Sequence, residues 1–337
     1  MKHKNKIVIP ATIAALMVLI FCNKLCANAA KEGVYLCINV VIPSLLPFIY
    51  VSTILAKAAS ITPLKMMPPL CRLFRVPECC GHLLIIGFLG GYPVGAATIE
   101  QSYHSGQLSL HDARRMLAYC NNAGPAFIFG IVGSLFADIS APLLLWIIHI
   151  LSAWITCQLI PINKTGKRIS TQNNKPAKSQ SIYHAMKTMG SICGWIILFR
   201  VLMAIITTPF ADHMSPTVYA FICGIFELTN GCIAVQSVES SAVRFVLVAA
   251  LLALGGLCIT IQTASVSGPL GIKTYFPGKV LQCFLSVILS IPTASVCFSP
   301  SWNVVLTGAI MLILLISSVI TTVFLRKSCS ILIKDRL

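Results

Sequence analysis

The chain has 337 residues, of which 57% are hydrophobic and only 10% charged, with a mean hydropathy of +0.87. A soluble domain would carry about 25% charge, so a soluble globular protein is excluded, and no polar stretch is long enough to fold as a catalytic domain beside the apolar blocks. The net charge of +16 does not point to nucleic acid, because the cations cluster at the ends of apolar blocks in the positive-inside pattern, with no aromatic-interleaved basic face.

The first block, residues 7–26, follows Lys2, Lys4 and Lys6. It reads as an uncleaved first span with signal-anchor grammar; cleavage near Ala27-Asn-Ala29 is the alternative, and both leave residue 30 outside. Residues 34–56 cross back, with a kink or local unwinding at Pro43-Ser-Leu-Leu-Pro47. Lys57, Lys65, Arg72 and Arg75 then lie inside.

Three apolar blocks separate this inner stretch from the inner basic linker: 82–100, 116–136 and 141–160. Three full crossings would end on the wrong side, so one block enters and returns. Residues 87–96 carry four glycines and a proline. Non-helical backbone at membrane depth is tolerated only inside protein or against a water-filled cavity. The block therefore predicts a re-entrant hairpin over 82–115, turning at Gly90-Gly91-Tyr92-Pro93 and leaving Arg114 and Arg115 inside.

The second half repeats the order. Residues 190–208 cross outward. A re-entrant hairpin over 217–244 restores parity for the spans 245–267, 280–298 and 304–325, leaving Lys273 and Lys279 inside and Arg244 outside. The reading is an all-α polytopic membrane protein with about eight transmembrane helices plus two re-entrant hairpins, in two inverted repeats. Its parts are a first span (1–33), repeat 1 (34–160), a cytoplasmic basic linker (161–187), repeat 2 (188–300), and a last span with a basic tail (301–337). Both termini are expected to be cytoplasmic.

Each repeat supplies a hairpin motif and a following helix with amides, the expected lining of a midplane transport site. The candidate substrate residues are Gly91, Tyr92 and Pro93 in hairpin 1, and Asn121 and Asn122 in Cys120-Asn-Asn-Ala-Gly-Pro125. In the second half they are Glu227 and Asn230 in hairpin 2 and Gln262 in the span after it. Small residues and amides also serve helix packing. Arg200 and Glu227 are charges at depth. They either pair with each other or leave Arg200 facing the cavity as partner to an anion.

The 15 cysteines have no zinc or redox spacing and read as small buried hydrophobes. No metal site or cofactor is called for. There is no phosphate-binding loop and no nucleophile–base–orienter set, which argues against an ATP-driven pump and against an enzyme.

In the same order and at this spacing, the motifs Pro43–Phe48, Gly87–Ala96, Cys120–Pro125, Phe226–Gly231 and Gly255–Gln262 resemble those of YlbJ-type sporulation integral membrane proteins, of the nucleoside-recognition or gate-domain superfamily. The resemblance spans roughly residues 30 to 300. It implies a permease that moves a small anion, dipicolinic acid, across the outer forespore membrane by alternating access. The implied partners are the small anionic solute, a coupling ion and the lipid bilayer, without nucleic acid; a homo-oligomer and sporulation membrane partners stay open. A carrier of another solute, such as a nucleoside or a metal ion, is the first alternative. A non-transporting membrane scaffold for spore assembly is the second, and it predicts that Asn121 and Gln262 tolerate alanine while loop 161–183 does not.

Overall fold

The computed structural model describes residues 2–61, 67–161, 181–207, 210 and 213–298. All regular structure among them is helical, which makes the chain an all-α polytopic membrane protein. Five of the described helical stretches are long and apolar enough to cross a bilayer: Asn23–Val51, Ser140–Leu159, Ala185–Thr207, Ser241–Val266 and Tyr275–Cys297. The expected span at 304–325 and the basic linker at 162–180 lie outside the described residues.

Helix α1 (Lys2–Phe21) ends at Cys22, and α2 (Asn23–Leu36) runs through a π-helical turn (Cys37–Val41) into α3 (Ile42–Ile61). Residues 27–33, expected as an outer loop, are thus helical. The reason is amphipathy: Cys26, Ala29, Gly33 and Leu36 fall on one buried face, and α2 packs that face on α10 (Ser181–Thr207). A side chain at Gly33 would lie 3.1 Å from the Ile197 backbone.

After α4 (Met67–Leu73), the first hairpin is α5 (His82–Leu89) and α6 (Val94–His104). Its arms fold back on one another. A Cβ on Gly87 would lie 2.0 Å from the Cys120 carbonyl oxygen and one on Gly95 2.6 Å from the same atom, whereas eight residues of straight helix span about 12 Å. At the open end, the Cys80 thiol reaches the Gln107 carbonyl at 3.7 Å. Helix α7 (Leu110–Cys120) starts at the Ser109 N-cap, whose hydroxyl accepts from Asp112 N. It stops at Asn121–Gly124, before α8 (Pro125–Phe127) and a π turn. The block 116–136, expected as one span, is therefore a broken helix, interrupted where Gly124-Pro125 restarts it.

The second half has the same order. Hairpin 2 is α11 (Pro216–Phe226) and α12 (Leu228–Ala234), with Gly231 packed so closely on Gly224 that a Cβ would lie 2.2 Å from its Cα. Helix α13 (Ser241–Leu254) then breaks into α14 (Gly256–Val266) at two glycines with φ of +77° and +78°, a left-handed backbone that other residues adopt at a cost. Each broken helix precedes one long helix: α9 (Ser140–Leu159) in the first half and α15 (Tyr275–Cys297) in the second.

These two long helices run antiparallel. Phe136, just before α9, Phe245, early in α13, and Phe298, at the end of α15, form one ring cluster with centroids 5.7–6.2 Å apart. At the other end, Arg115 reaches Cys157 of α9, while its neighbour Arg114 donates to the Leu270 carbonyl, just before α15. Hairpin 1 opens at this arginine end, and hairpin 2 leads into α13 at the phenylalanine end. The two halves enter the bundle from opposite ends.

Helix α15 is amphipathic with its polar face inward. Phe276, Val280, Phe284, Ile288 and Ile291 are exposed, while Lys279, Gln282, Ser286, Ser290 and Thr293 are buried. Such a pattern suits an apolar solvent, since polar side chains in membranes face the bundle interior.

Candidate functional site

Both hairpin tips, the first helix break and helix α14 meet at one cavity, with about 640 Å³ of empty space that includes its open mouth. Hairpin 1 gives Leu89, Gly90, Gly91 and Tyr92, and the first break gives Ala123, Gly124, Ala126 and Phe127. Hairpin 2 gives Glu227, Leu228 and Thr229, and α14 gives Ile259 and Gln262. Leu45 and Ile49 of α3 and Ile192 and Ile196 of α10 close the apolar walls.

Of the residues expected from sequence, Gly91, Tyr92, Glu227 and Gln262 line this cavity. Pro93 stands at the N-cap position of α6. Glu227, 3% exposed, is the N-cap of α12: its Oε1 accepts from Thr229 N at 2.9 Å and its Oε2 from Asn230 N at 2.7 Å. An extended residue at the tip leaves the first N–H groups of α12 without helical partners, and a carboxylate there satisfies two of them while meeting the positive end of the helix dipole.

Asn121 and Asn122 are fully buried behind the lining. Asn121 ties the halves together: its Oδ1 accepts from Ala96 N at 3.3 Å and its Nδ2 donates to Thr263 Oγ1 at 2.9 Å. Asn122 donates from Nδ2 to the Tyr119 carbonyl at 2.6 Å. Its Oδ1 faces Lys279.

The pairing of Arg200 with Glu227, one of the two expected arrangements, is not formed. Arg200 donates to Glu32 of α2 at 2.8 and 3.3 Å and to Asn230 Oδ1 at 3.3 Å. Both carboxylate oxygens of Glu227 are occupied by α12, and the partner was hidden because residues 27–33 read as a loop. Nor does Arg200 line the cavity.

Sequence reasoning missed the buried cation. Lys279, expected at an inner membrane edge, lies inside α15 and is 1% exposed. Its Nζ donates to the Asn121 carbonyl at 3.0 Å, to Asn122 Oδ1 at 3.0 Å and to Gln282 Oε1 at 2.7 Å. It lies 5.3 Å from the centre of the Tyr92 ring, within cation–π range. Gln282 also donates to Asn122 Oδ1 and to the His149 carbonyl. The overlooked signal was the spacing of Lys279, Gln282, Ser286, Ser290 and Thr293, a helical stripe through an apolar block.

With this geometry, the chain can be set beside known proteins. It is similar to the sporulation integral membrane protein YlbJ of Bacillus subtilis (strain 168), with 26% identity over 303 residues, covering 76% of this chain and 74% of that protein. The similarity supports a YlbJ-type assignment. No family model and no solved structure matches the chain. The assignment agrees with the apolar, helical architecture described above.

Proposed function

We propose that this chain is a sporulation membrane permease that moves a small anionic solute, dipicolinic acid, across the outer forespore membrane by alternating access. The observation that carries the reading is the meeting of two oppositely entering hairpin tips, a helix break and helix α14 at one cavity. Secondary transporters built from inverted repeats place their substrates at such a point, against freed backbone groups and helix termini. Two half-structures approaching from opposite ends also provide two gates, one for each side of the membrane.

The lining suits a small ring bearing polar groups. Leu45, Ile49, Phe127, Ile192, Ile196 and Ile259 offer apolar walls, and Gln262, Thr229 and the backbone of the hairpin tips offer hydrogen bonds. The arginine end, with Arg72, Arg75, Arg114 and Arg115, would be cytoplasmic by the positive-inside rule, and a coupling ion would supply the driving force. The sporulation setting rests on the similarity to YlbJ of Bacillus subtilis.

The test is uptake of labelled dipicolinate into proteoliposomes holding the full chain, under proton and sodium gradients of both directions. The reading expects accumulation well above protein-free vesicles. A well-folded protein that moves no dipicolinate under any of these gradients overturns it.

A further inference from the structure

We infer that Lys279 is the counter-charge for a carboxylate of the solute, and that Tyr92 is the movable cover between that cation and the cavity. This deepens the permease reading and rests on it.

The charge balance around Lys279 leads there. Its three hydrogen-bond partners are the Asn121 carbonyl, Asn122 Oδ1 and Gln282 Oε1, all neutral oxygens. They satisfy the three N–H bonds of the ammonium group but not its charge. No carboxylate pairs with Lys279 among the described residues. The Asn121 carbonyl belongs to the C-terminal end of α7, whose dipole offers roughly half a negative charge at most. A charge this deep is costly unless it is paired, and unpaired intramembrane cations mark ion and solute pathways.

A second buried donor lies in the same shell. His149 Nε2 accepts from Ala123 N at 3.2 Å, which assigns the ring proton to Nδ1, and buried Nδ1 has no acceptor among the described residues. The shell is therefore rich in donors, the complement of an anion.

Tyr92 links this shell to the cavity. It lines the cavity, and its ring lies over Lys279 Nζ. Its hydroxyl donates to the Leu252 carbonyl at 2.9 Å, which holds the ring in place. The tip carrying Tyr92 rests on Gly91, with φ of +74°, and on Gly124, whose backbone nitrogen would be 3.2 Å from a Cβ at Gly91. No side chain stands between the Gly91 and Gly124 backbones, so what withdrawal breaks there is chiefly the packing of the Tyr92 ring itself. Withdrawal exchanges the weak π-face of Tyr92 for a carboxylate oxygen at the ammonium group.

Binding of dipicolinate and of its uncharged diamide, measured by calorimetry on the detergent-solubilised full chain, tests this. Wild type is expected to prefer the dianion by at least tenfold. Lys279→Gln should lose at least tenfold in dianion affinity while diamide affinity stays within threefold. Asn122→Asp, nearly isosteric, gives Lys279 a permanent internal partner, and should lower dianion affinity to a similar extent with the diamide again unchanged. Equal wild-type affinity for both ligands overturns the inference, as does either folded variant that keeps full dianion affinity or loses both ligands alike. Wild type that binds neither ligand overturns the permease reading itself, a separate outcome.

Discussion

Hairpin 1 and hairpin 2 hold corresponding places in the two halves, yet their tips carry opposite chemistry. The first tip, Gly90-Gly91-Tyr92-Pro93, has no charge of its own and lies against a cation borrowed from the other half, Lys279 of α15. The second tip carries its own carboxylate, Glu227, fixed to the start of α12. Repetition of the chain plan thus supplies matching geometry, while the charge at each tip is set locally. A cavity between unlike tips is polarised from one side to the other, which a symmetric pair could not achieve.

The comparison can be broken most sharply at the glycines behind each tip. Gly87→Ala would place a Cβ 2.0 Å from a backbone carbonyl, whereas Gly224→Ala would meet the side chain of Leu251 at 2.4 Å. A backbone atom cannot rotate away and a leucine can. Gly87→Ala is expected to destabilise the protein by about 3 kcal/mol or more and Gly224→Ala by about 1–2 kcal/mol, read as thermal unfolding in detergent. Gly190→Ala, with open space around it, serves as the neutral control. Equal losses at Gly87 and Gly224 would mean that the hairpins dock alike.

A smaller effect separates the tips themselves. Glu227→Ala removes both acceptors at the α12 N-terminus and is expected to cost about 1–2 kcal/mol, with loss of dipicolinate uptake as the tip frays. Glu227→Gln keeps one acceptor and should retain part of both. Uptake unchanged in Glu227→Ala would show that tip 2 does not gate the path.

The smallest effect is expected outside the cavity. Arg200 and Glu32 are both partly exposed, at 31% and 61% for their side chains, and a double-mutant cycle between them should give less than about 1 kcal/mol. Arg200→Ala should leave the apparent dipicolinate affinity nearly unchanged. A loss as large as that expected for Lys279→Gln would return the counter-charge role to Arg200.

Much of this organisation was legible in the sequence because breakers are costly in a bilayer. The glycines and proline at 87–95 announce an interrupted helix within an apolar block, whereas the block 116–136, read as one span, concealed the break at Gly124-Pro125. Glu227 and Gln262 were found as polar residues within such blocks, and both line the cavity. Asn121, Asn122 and Asn230 were found in the same way, but whether an amide faces a cavity or a neighbouring helix depends on rotation about the helix axis, which only the packed bundle fixes. Lys279 was misplaced because a lysine near a block end fits the inner membrane edge. Its alignment with Gln282 and Ser286 on one face was the better guide. The Arg200–Glu32 contact joins residues 168 apart in sequence, and nothing local to either residue names the other.

The Tyr92 hydroxyl bond has a consequence for leakage. Leu252 lies in the last turn of α13, where an unbroken helix would cap its carbonyl with the nitrogen four residues on, and the left-handed glycines at 255 and 256 divert the chain there. A tyrosine from the opposite half fills the vacancy. If the tip swings out, that carbonyl is stranded at a cost of about 1–3 kcal/mol, and a fully ionised solute has no proton to offer it. On the permease reading, water would therefore follow the solute inward, and the unloaded tip, gaining nothing in exchange, would rest against Leu252.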